Sequence, residues 1–413
     1  MSWPVVVVTG ANASSSGRGV GLGICRRLLF QLCLSNPPDS WPQFQTSPRD
    51  GDGAEEPPRG DGLTLIMACR STQRAEVARK ELYNDLDAHI AQLRTHSDYD
   101  GHADMFRRNL KIEIAYLDLA VLSTVFNFAE RMSNQYPYIS HLIFNAGVAN
   151  FTRIDWPACL TQLATNFLSA ITAPEFYIQS TGEISVDCLG WLWQSNLFGH
   201  YVLFRALEPL LKNTAYPADA RVIWSSSLEA SPKFYDNADW QLTKTTHSYE
   251  SVKYQIDLVA TTLDRRALQD STSPRRIRHF VSQPGVCSTK ISTNLVVQGG
   301  FLDTLKIIAF YIGRFFGSPH HTIITSNAAI AAVHLVLVSI SFINFSAKAG
   351  LSGSTASPAE PGPVRFGAET DRWGNPRVGI TPVKEWKENE AQGELLVERC
   401  DGLYKDFSKS KGA

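Results

Sequence analysis

The chain has 413 residues, of which 44% are hydrophobic and 19% charged, with a formal net charge of −1. That balance describes a globular chain able to bury a large core and excludes an extended disordered one. A near-zero charge without any basic run gives no electrostatic footprint for nucleic acid.

Read in chain order, MSWPVVVVTG is a buried strand (Val5–Thr9) running into a glycine rather than a signal peptide. Gly21–Leu34 is a predicted helix that stops before Pro37-Pro38. Residues 35–62, rich in Pro, Gly, Asp and Ser, read as a mobile surface insertion. Leu63–Cys69 is a second strand, Thr72–Leu93 a helix charged on one side, and 94–109 a polar loop. Ile112–Leu117, His141–Phe144, Arg221–Trp224 and Arg278–Ser282 read as further strands, with helices near 121–135, 187–212 and 245–269 between them. This alternation predicts an α/β fold: a single doubly wound Rossmann-type parallel sheet with helices on both faces. One domain is expected over 1–413, with a C-terminal extension at 346–413 that is Pro- and Gly-rich to Arg377 and closes with a helix at 383–409.

Residues 315–347 hold no Asp, Glu, Lys or Arg, but Asn327, His334, Ser339, Ser341 and Asn344 interrupt the apolar run. It falls short of the ~20 residues a membrane span needs, so a buried helix at Asn327–Val338 is expected. The segment 301–316 (FLDTLKIIAFYIGRFF) is apolar on most sides yet carries Asp303, Lys306 and Arg314. It reads as a substrate lid, an interfacial membrane helix or both, with an ordinary core helix as the alternative. His320-His321 lacks a carboxylate or thiol partner at metal-ligand spacing and is assigned to a loop. Trp191 and Trp193 are assigned to packing.

Seven scattered cysteines (25, 33, 69, 159, 188, 287 and 400) with no C-x-x-C pair suit a reducing compartment. The sequons at Asn12, Asn150 and Asn344 are then unused matches.

The ends of the predicted strands carry the chemistry. Thr9-Gly10 closes the first strand and Gly19-Val20-Gly21 opens the first helix, where backbone must turn sharply and approach a pyrophosphate. The intervening loop, ANASSSGR, is longer than the usual fingerprint. An acid after the second strand would hold the ribose hydroxyls of NAD; here stands Cys69-Arg70-Ser71. Arg70, with Arg18 from the glycine loop, suits the 2′-phosphate of NADPH. Asp118 is placed either to meet the adenine ring or to cap a helix. Tyr249 and Lys253 fall at i and i+4, on one helix face. The ammonium should favour the phenolate and tune the tyrosine for general acid–base work.

Together, Thr9-Gly10…Gly19-Val20-Gly21, Asp118-Leu119, Asn145-Ala146-Gly147, Asn196, Ser227, Tyr249-x-x-x-Lys253 and Pro284-Gly285…Thr289 resemble the short-chain dehydrogenase/reductase family in nearly every motif and in order. The resemblance implies that Tyr249 exchanges a proton with the substrate oxygen and that Lys253 also holds the nicotinamide ribose. It implies that Asn145-Ala146-Gly147 supports the sheet beside the cofactor and that Asn196 holds a proton-relay water. Val286 would lie by the nicotinamide and Thr289 near its carboxamide or the phosphates.

Strand alternation sends Ser225 and Ser227 to one face and Ser226 to the other. The family pattern selects Ser227 to hold the carbonyl oxygen, with Ser225 second.

Within the family, VIWSSSLEASPKFYD, SYESVK, QPGVCST and FGAETDRWGNPRVG are similar to the branch that reduces sterol 3-ketones in fungal ergosterol synthesis. That likeness implies an NADPH-dependent oxidoreductase taking the C3 ketone of a sterol intermediate to the 3β-alcohol. It also implies work at the cytoplasmic face of the endoplasmic reticulum membrane or at lipid droplets, beside the sterol C-4 demethylation enzymes. The alternatives are reduction of another lipid ketone, such as a 17-ketosteroid or retinoid, and a catalytically silent NADP-binding scaffold.

Overall fold

The first strand shows why the sheet forms. In β1 (Val5–Thr9) every residue is buried, Val5 and Val7 in the core on one face and Val6 and Val8 in the core on the other. A strand apolar on both faces belongs in a parallel sheet covered by helices on both sides. The computed structural model describes residues 3–12, 19–41, 60–288, 295, 300–344 and 362–411.

Around β1 stand β2 (Leu63–Cys69), β3 (Leu110–Tyr116), β4 (His141–Phe144), β7 (Ala220–Ser225), β8 (Ile277–Gln283), β9 (Val364–Thr370) and β10 (Pro376–Pro382). Their order is β10-β9-β8-β7-β4-β1-β2-β3. All neighbours run parallel except β9 and β10, so the expected parallel sheet ends in an antiparallel edge. Strand order reverses beside β1, between β4 and β2, and the crevice outside the carboxyl ends there is the usual ligand position in such sheets. The helix Ser248–Gln269 is buried from Ser248 to Leu263. It lies between the sheet and the closing helix Trp386–Lys411, which adds Leu396, Val397 and Cys400 to the same core. Arg266–Glu394 and Arg205–Asp401, each 2.5 Å, tie that helix down.

Four expectations need correction. The predicted polar loop 94–109 contains a helix, His102–Arg108, because Ala103 and Phe106 are spaced to bury one side and Asp100 accepts from the His102 amide at 2.9 Å. In the insertion 35–62, residues 42–59 lie outside the described residues. Before them, Pro38–Ser40 is packed rather than mobile: Asp39 holds Arg27 in a two-pronged ion pair of 2.5 and 2.8 Å, and its carbonyl meets His334 at 2.7 Å. The extension supplies β9 and β10. A small antiparallel pair, β5 (Phe151–Ile154) and β6 (Tyr177–Gln179), with helices Trp156–Thr165 and Phe167–Thr172 between them, occupies a stretch that carried no predicted element.

The expected buried helix at Asn327–Val338 is present as Thr325–Ala328 and Ile330–Leu337, the latter wholly buried. Among the described residues no helix is long and apolar enough to cross a membrane.

Candidate functional site

At the nucleotide end, Thr9 organises the turn that follows β4. Its hydroxyl oxygen accepts from the amides of Asn145 and Ala146 at 3.0 Å each, and Asn145 Nδ2 donates to the Thr9 carbonyl at 3.0 Å. His200 Nδ1 lies 3.0 Å from the Asn196 carbonyl, which can only accept, so that nitrogen carries the proton. Nε2 then accepts from the Thr9 hydroxyl at 2.9 Å. Burial pulls the His200 imidazole down to about 3, so it stays neutral.

Gly10 sits at φ +68°, and a Cβ there would stand 3.0 Å from the Ala146 Cα. Only glycine fits a left-handed turn so tightly backed. Gly21 fills the neighbouring contact against Asn145 and the Gly10 carbonyl. Gly19 leads into the helix Val20–Leu32 in extended backbone with no side-chain cap among the described residues, which leaves the first-turn amides for an anion. These residues fit a dinucleotide phosphate cradle.

Arg70 follows β2 and is exposed at the same edge. Asp118 accepts from the Ala120 amide at 3.1 Å, so its carboxylate caps the turn after β3. Val286 is fixed between the His320 carbonyl (2.7 Å) and the Ile323 amide (3.0 Å). Arg18 and Thr289 lie outside the described residues.

At the chemical end, Asn196 stands in a π-helical turn, Gln194–Phe198, a feature that recurs at functional sites. Its amide nitrogen donates to the Val148 and Leu192 carbonyls (3.0 and 2.9 Å), and its oxygen accepts from the Val148 amide at 3.1 Å. A Cβ on Gly147 would lie 2.7 Å from Asn196 Oδ1 and 3.7 Å from Lys253 Nζ. Lys253 Nζ donates to the Ser225 carbonyl at 2.9 Å and lies 5.8 Å from the Tyr249 ring centroid. Ser227 faces the Tyr249 phenol. Ser226, just beyond the end of β7, places its hydroxyl 3.4 Å from the Lys253 carbonyl of the same helix. The structure therefore gathers Gly147, Asn196, Ser227, Tyr249 and Lys253 at one point.

The electrostatics differ from the expectation that Lys253 lowers the Tyr249 pKa. Burial holds the Tyr249 phenol well above its usual value, the Glu229 carboxyl adds to this, and Ser227 opposes it. The Lys253 ammonium is turned towards the Ser225 carbonyl and does not offset that burial. Burial also draws Lys253 down to about 8, against the attraction of Asp257 and then Glu229. Tyr249 thus keeps its proton at neutral pH.

Several residues here had no local signal. Gln179 on β6 accepts from the Tyr249 amide at 2.9 Å and the Ser248 hydroxyl at 3.1 Å, and donates to Glu250 at 2.6 Å. Phe151 presents its ring to Tyr249 at 5.4 Å. Glu229 has a buried oxygen without a hydrogen-bond partner among the described residues. Burial lifts its carboxyl to about 8, with Glu250 adding to the rise and Lys253 opposing it. The helix Phe301–Phe315 is not an ordinary core helix. Phe310 packs with Ile171 and Ile323 against Val286, while Phe301, Leu305, Ile308, Ile312 and Phe315 face solvent. His321 is used structurally, between the Ser318 hydroxyl and the Ile171 carbonyl. Trp193 is core, stacked on Phe198 and bonded to Gln255.

No protein-family model matches the chain. The 3-keto-steroid reductase ERG27 of Saccharomyces cerevisiae is 30% identical over 322 residues, which cover 76% of this chain and 80% of the relative. The chain belongs to the 3-keto-steroid reductases, a branch of the short-chain dehydrogenase/reductase family. With the 3-keto-steroid reductase erg27 of Schizosaccharomyces pombe it shares 27% identity over 408 residues, 98% of this chain and 97% of that one. That match takes in the C-terminal extension as well as the sheet. A rat 3-keto-steroid reductase/17-beta-hydroxysteroid dehydrogenase 7 is 26% identical over 332 residues, 80% of each chain.

Proposed function

We propose that this member of the 3-keto-steroid reductases uses NADPH to reduce the C3 ketone of a sterol intermediate to the 3β-alcohol, in C-4 demethylation during ergosterol biosynthesis. One observation carries the reading: a buried, protonated Tyr249 with the Ser227 hydroxyl facing it and Lys253 one helical turn on. Ketone reduction needs a proton donor where negative charge appears on oxygen.

NADPH, when bound, supplies the hydride that adds to C3. Gly10, Gly19, Val20 and Gly21 give it a backbone cradle, with Asn145 and Gly147 supporting the adjoining turn. Arg70 would take the 2′-phosphate, Asp118 would border the adenine side and Val286 the nicotinamide side, with Arg18 and Thr289 as the further candidates that the sequence offers for the phosphate and the nicotinamide. As C3 gains hydride, Ser227 donates a hydrogen bond to the carbonyl oxygen and Tyr249 gives it a proton, leaving a phenolate. Lys253 stabilises that phenolate, and Asn196 holds the relay that restores the proton. On this reading Phe301–Phe315 serves as lid and membrane contact, at the cytoplasmic face of the endoplasmic reticulum membrane or at lipid droplets. Its solvent-facing aromatic and aliphatic row supports interfacial binding. The sterol C-4 demethylation enzymes would be its neighbours.

Turnover with NADPH across 3-keto steroids, 17-keto steroids and retinoid carbonyls tests the assignment. The 3-keto steroid should give the highest kcat/KM; preference for a 17-keto or retinoid substrate would overturn it.

A further inference from the structure

The C-terminal extension reaches back into the loop that carries Ser227. Three carbonyls at and beyond the end of β7 are each held by a cation from a different place in the fold. Lys253 Nζ takes the Ser225 carbonyl at 2.9 Å, Arg365 Nη1 on β9 takes the Ser227 carbonyl at 3.3 Å, and Lys384 Nζ, beyond β10, takes the Ala230 carbonyl at 2.9 Å. The same Arg365 nitrogen lies 3.3 Å from Asp257 Oδ2, with the two side chains 5% and 1% exposed. Asp257 follows Lys253 by one helical turn, so the two share a helix face.

An ion pair this deep is an expensive way to add stability, since desolvation can exceed the attraction. This one is also incompletely satisfied: Arg365 Nε and Asp257 Oδ1 have no hydrogen-bond partner among the described residues. What the pair does provide is a fixed charge beside Lys253 and a fixed backbone behind Ser227. Building on the reductase reading above, we propose that Arg365 and Asp257 are a positioning pair, Arg365 setting the Ser227 loop and holding Asp257 ionised so that Lys253 keeps its ammonium charge.

The charges around the pair support this. Asp257 faces Arg365 from β9, Lys384 from beyond β10, the Ser226 hydroxyl from the loop, and Lys253 and Tyr254 on its own helix. Burial raises the Asp257 carboxyl, and Arg365 is the strongest influence against that rise. Lys253 faces Asp257, Glu229 and Tyr249, with the neutral His200 across from it. Burial lowers Lys253, and Asp257 is the strongest influence against that fall. Removing Arg365 lets Asp257 take a proton, and Lys253 then loses its own proton at lower pH.

The test compares wild type, Arg365→Met and Arg365→Lys by kcat and KM against pH. In Arg365→Met the alkaline limb of kcat should move down by about one pH unit, the scale of one close charge. Its kcat near neutrality should fall by as much as roughly 10²-fold from misplacement of Ser227. KM for NADPH should change little, and Arg365→Lys should restore the limb. A limb that stays in place, even with kcat lowered evenly at all pH values, would make Arg365 merely structural and overturn the proposal. If Arg365→Met does not fold, the isosteric Asp257→Asn must move the limb in the same direction, and an unmoved limb again overturns it. Nitrogen NMR of the Lys253 side chain reads the same titration without turnover. An inactive wild type would therefore sink the reductase assignment while the pair is still decided.

Discussion

At the nucleotide end of the sheet, Thr9, Asn145 and His200 satisfy one another and the Asn196 carbonyl through contacts of 2.9 and 3.0 Å. At the substrate end, Glu229 keeps a buried oxygen without a partner among the described residues, and the helix Phe301–Phe315 keeps an apolar row in solvent. The first region spends its polar groups on a rigid turn. The second holds groups in costly environments, and burial responds by keeping protons on Glu229 and Tyr249. Rigidity positions a cofactor of fixed shape; the tuned, apolar end is where a specific ketone is recognised and protonated.

That contrast can be broken at either end. Ser227→Ala removes the donor to the carbonyl oxygen and should lower kcat by ~10²–10³-fold, as loss of such donors does elsewhere; near-wild-type kcat would shift the role to Ser225. At the nucleotide end, Arg70→Asp should cut kcat/KM for NADPH by ~10–100-fold relative to NADH, the worth of a hydrogen bond to a charged group. An unchanged ratio measured with both cofactors would remove the phosphate assignment. Ile308→Asp with Phe315→Asp should weaken binding to lipid vesicles by roughly tenfold or more, with turnover of a water-soluble ketone retained. Sedimentation with vesicles at wild-type level would leave the helix as a lid alone.

The smallest expected effect is on stability against pH. Glu229 has a folded value of about 8, above the ordinary 4.5. The stability it contributes is therefore full below about pH 4.5 and is lost as pH rises towards about 8. Glu229→Gln, neutral throughout, should gain Tm over wild type by about a few degrees at pH 8 compared with pH 5. Parallel Tm curves for the two proteins across that window would show that Glu229 is not buried in the way described.

The two ends also differ in how far they could be read from sequence. Thr9-Gly10, Asn145-Ala146-Gly147, Asn196 and Tyr249-x-x-x-Lys253 sit at strand ends and helix faces that follow from apolar runs of period 2 and 3.6. Thr9-Gly10 and the Tyr249/Lys253 spacing needed only local reasoning, Asn145-Ala146-Gly147 and Asn196 needed the family resemblance, and the structure brings them together. The strands β9 and β10 were obscured because Arg365 and Glu369 are charged residues inside a sheet. Their partners, Asp257 and Arg377, are supplied by the fold. The strands β5 and β6 are only four and three residues long, too short for alternation to register. The character of Glu229 comes from its burial, with Glu250 and Lys253 beside it, which no spacing rule gathers.

The most direct test is the rate at which wild type and Tyr249→Phe reduce a 3-keto steroid with NADPH under single-turnover conditions. The account predicts that the variant still binds NADPH and loses ~10²–10⁴-fold in rate, the usual contribution of a positioned general acid. Reduction at the wild-type rate would mean that the proton comes from another group, and the account of this site would be wrong.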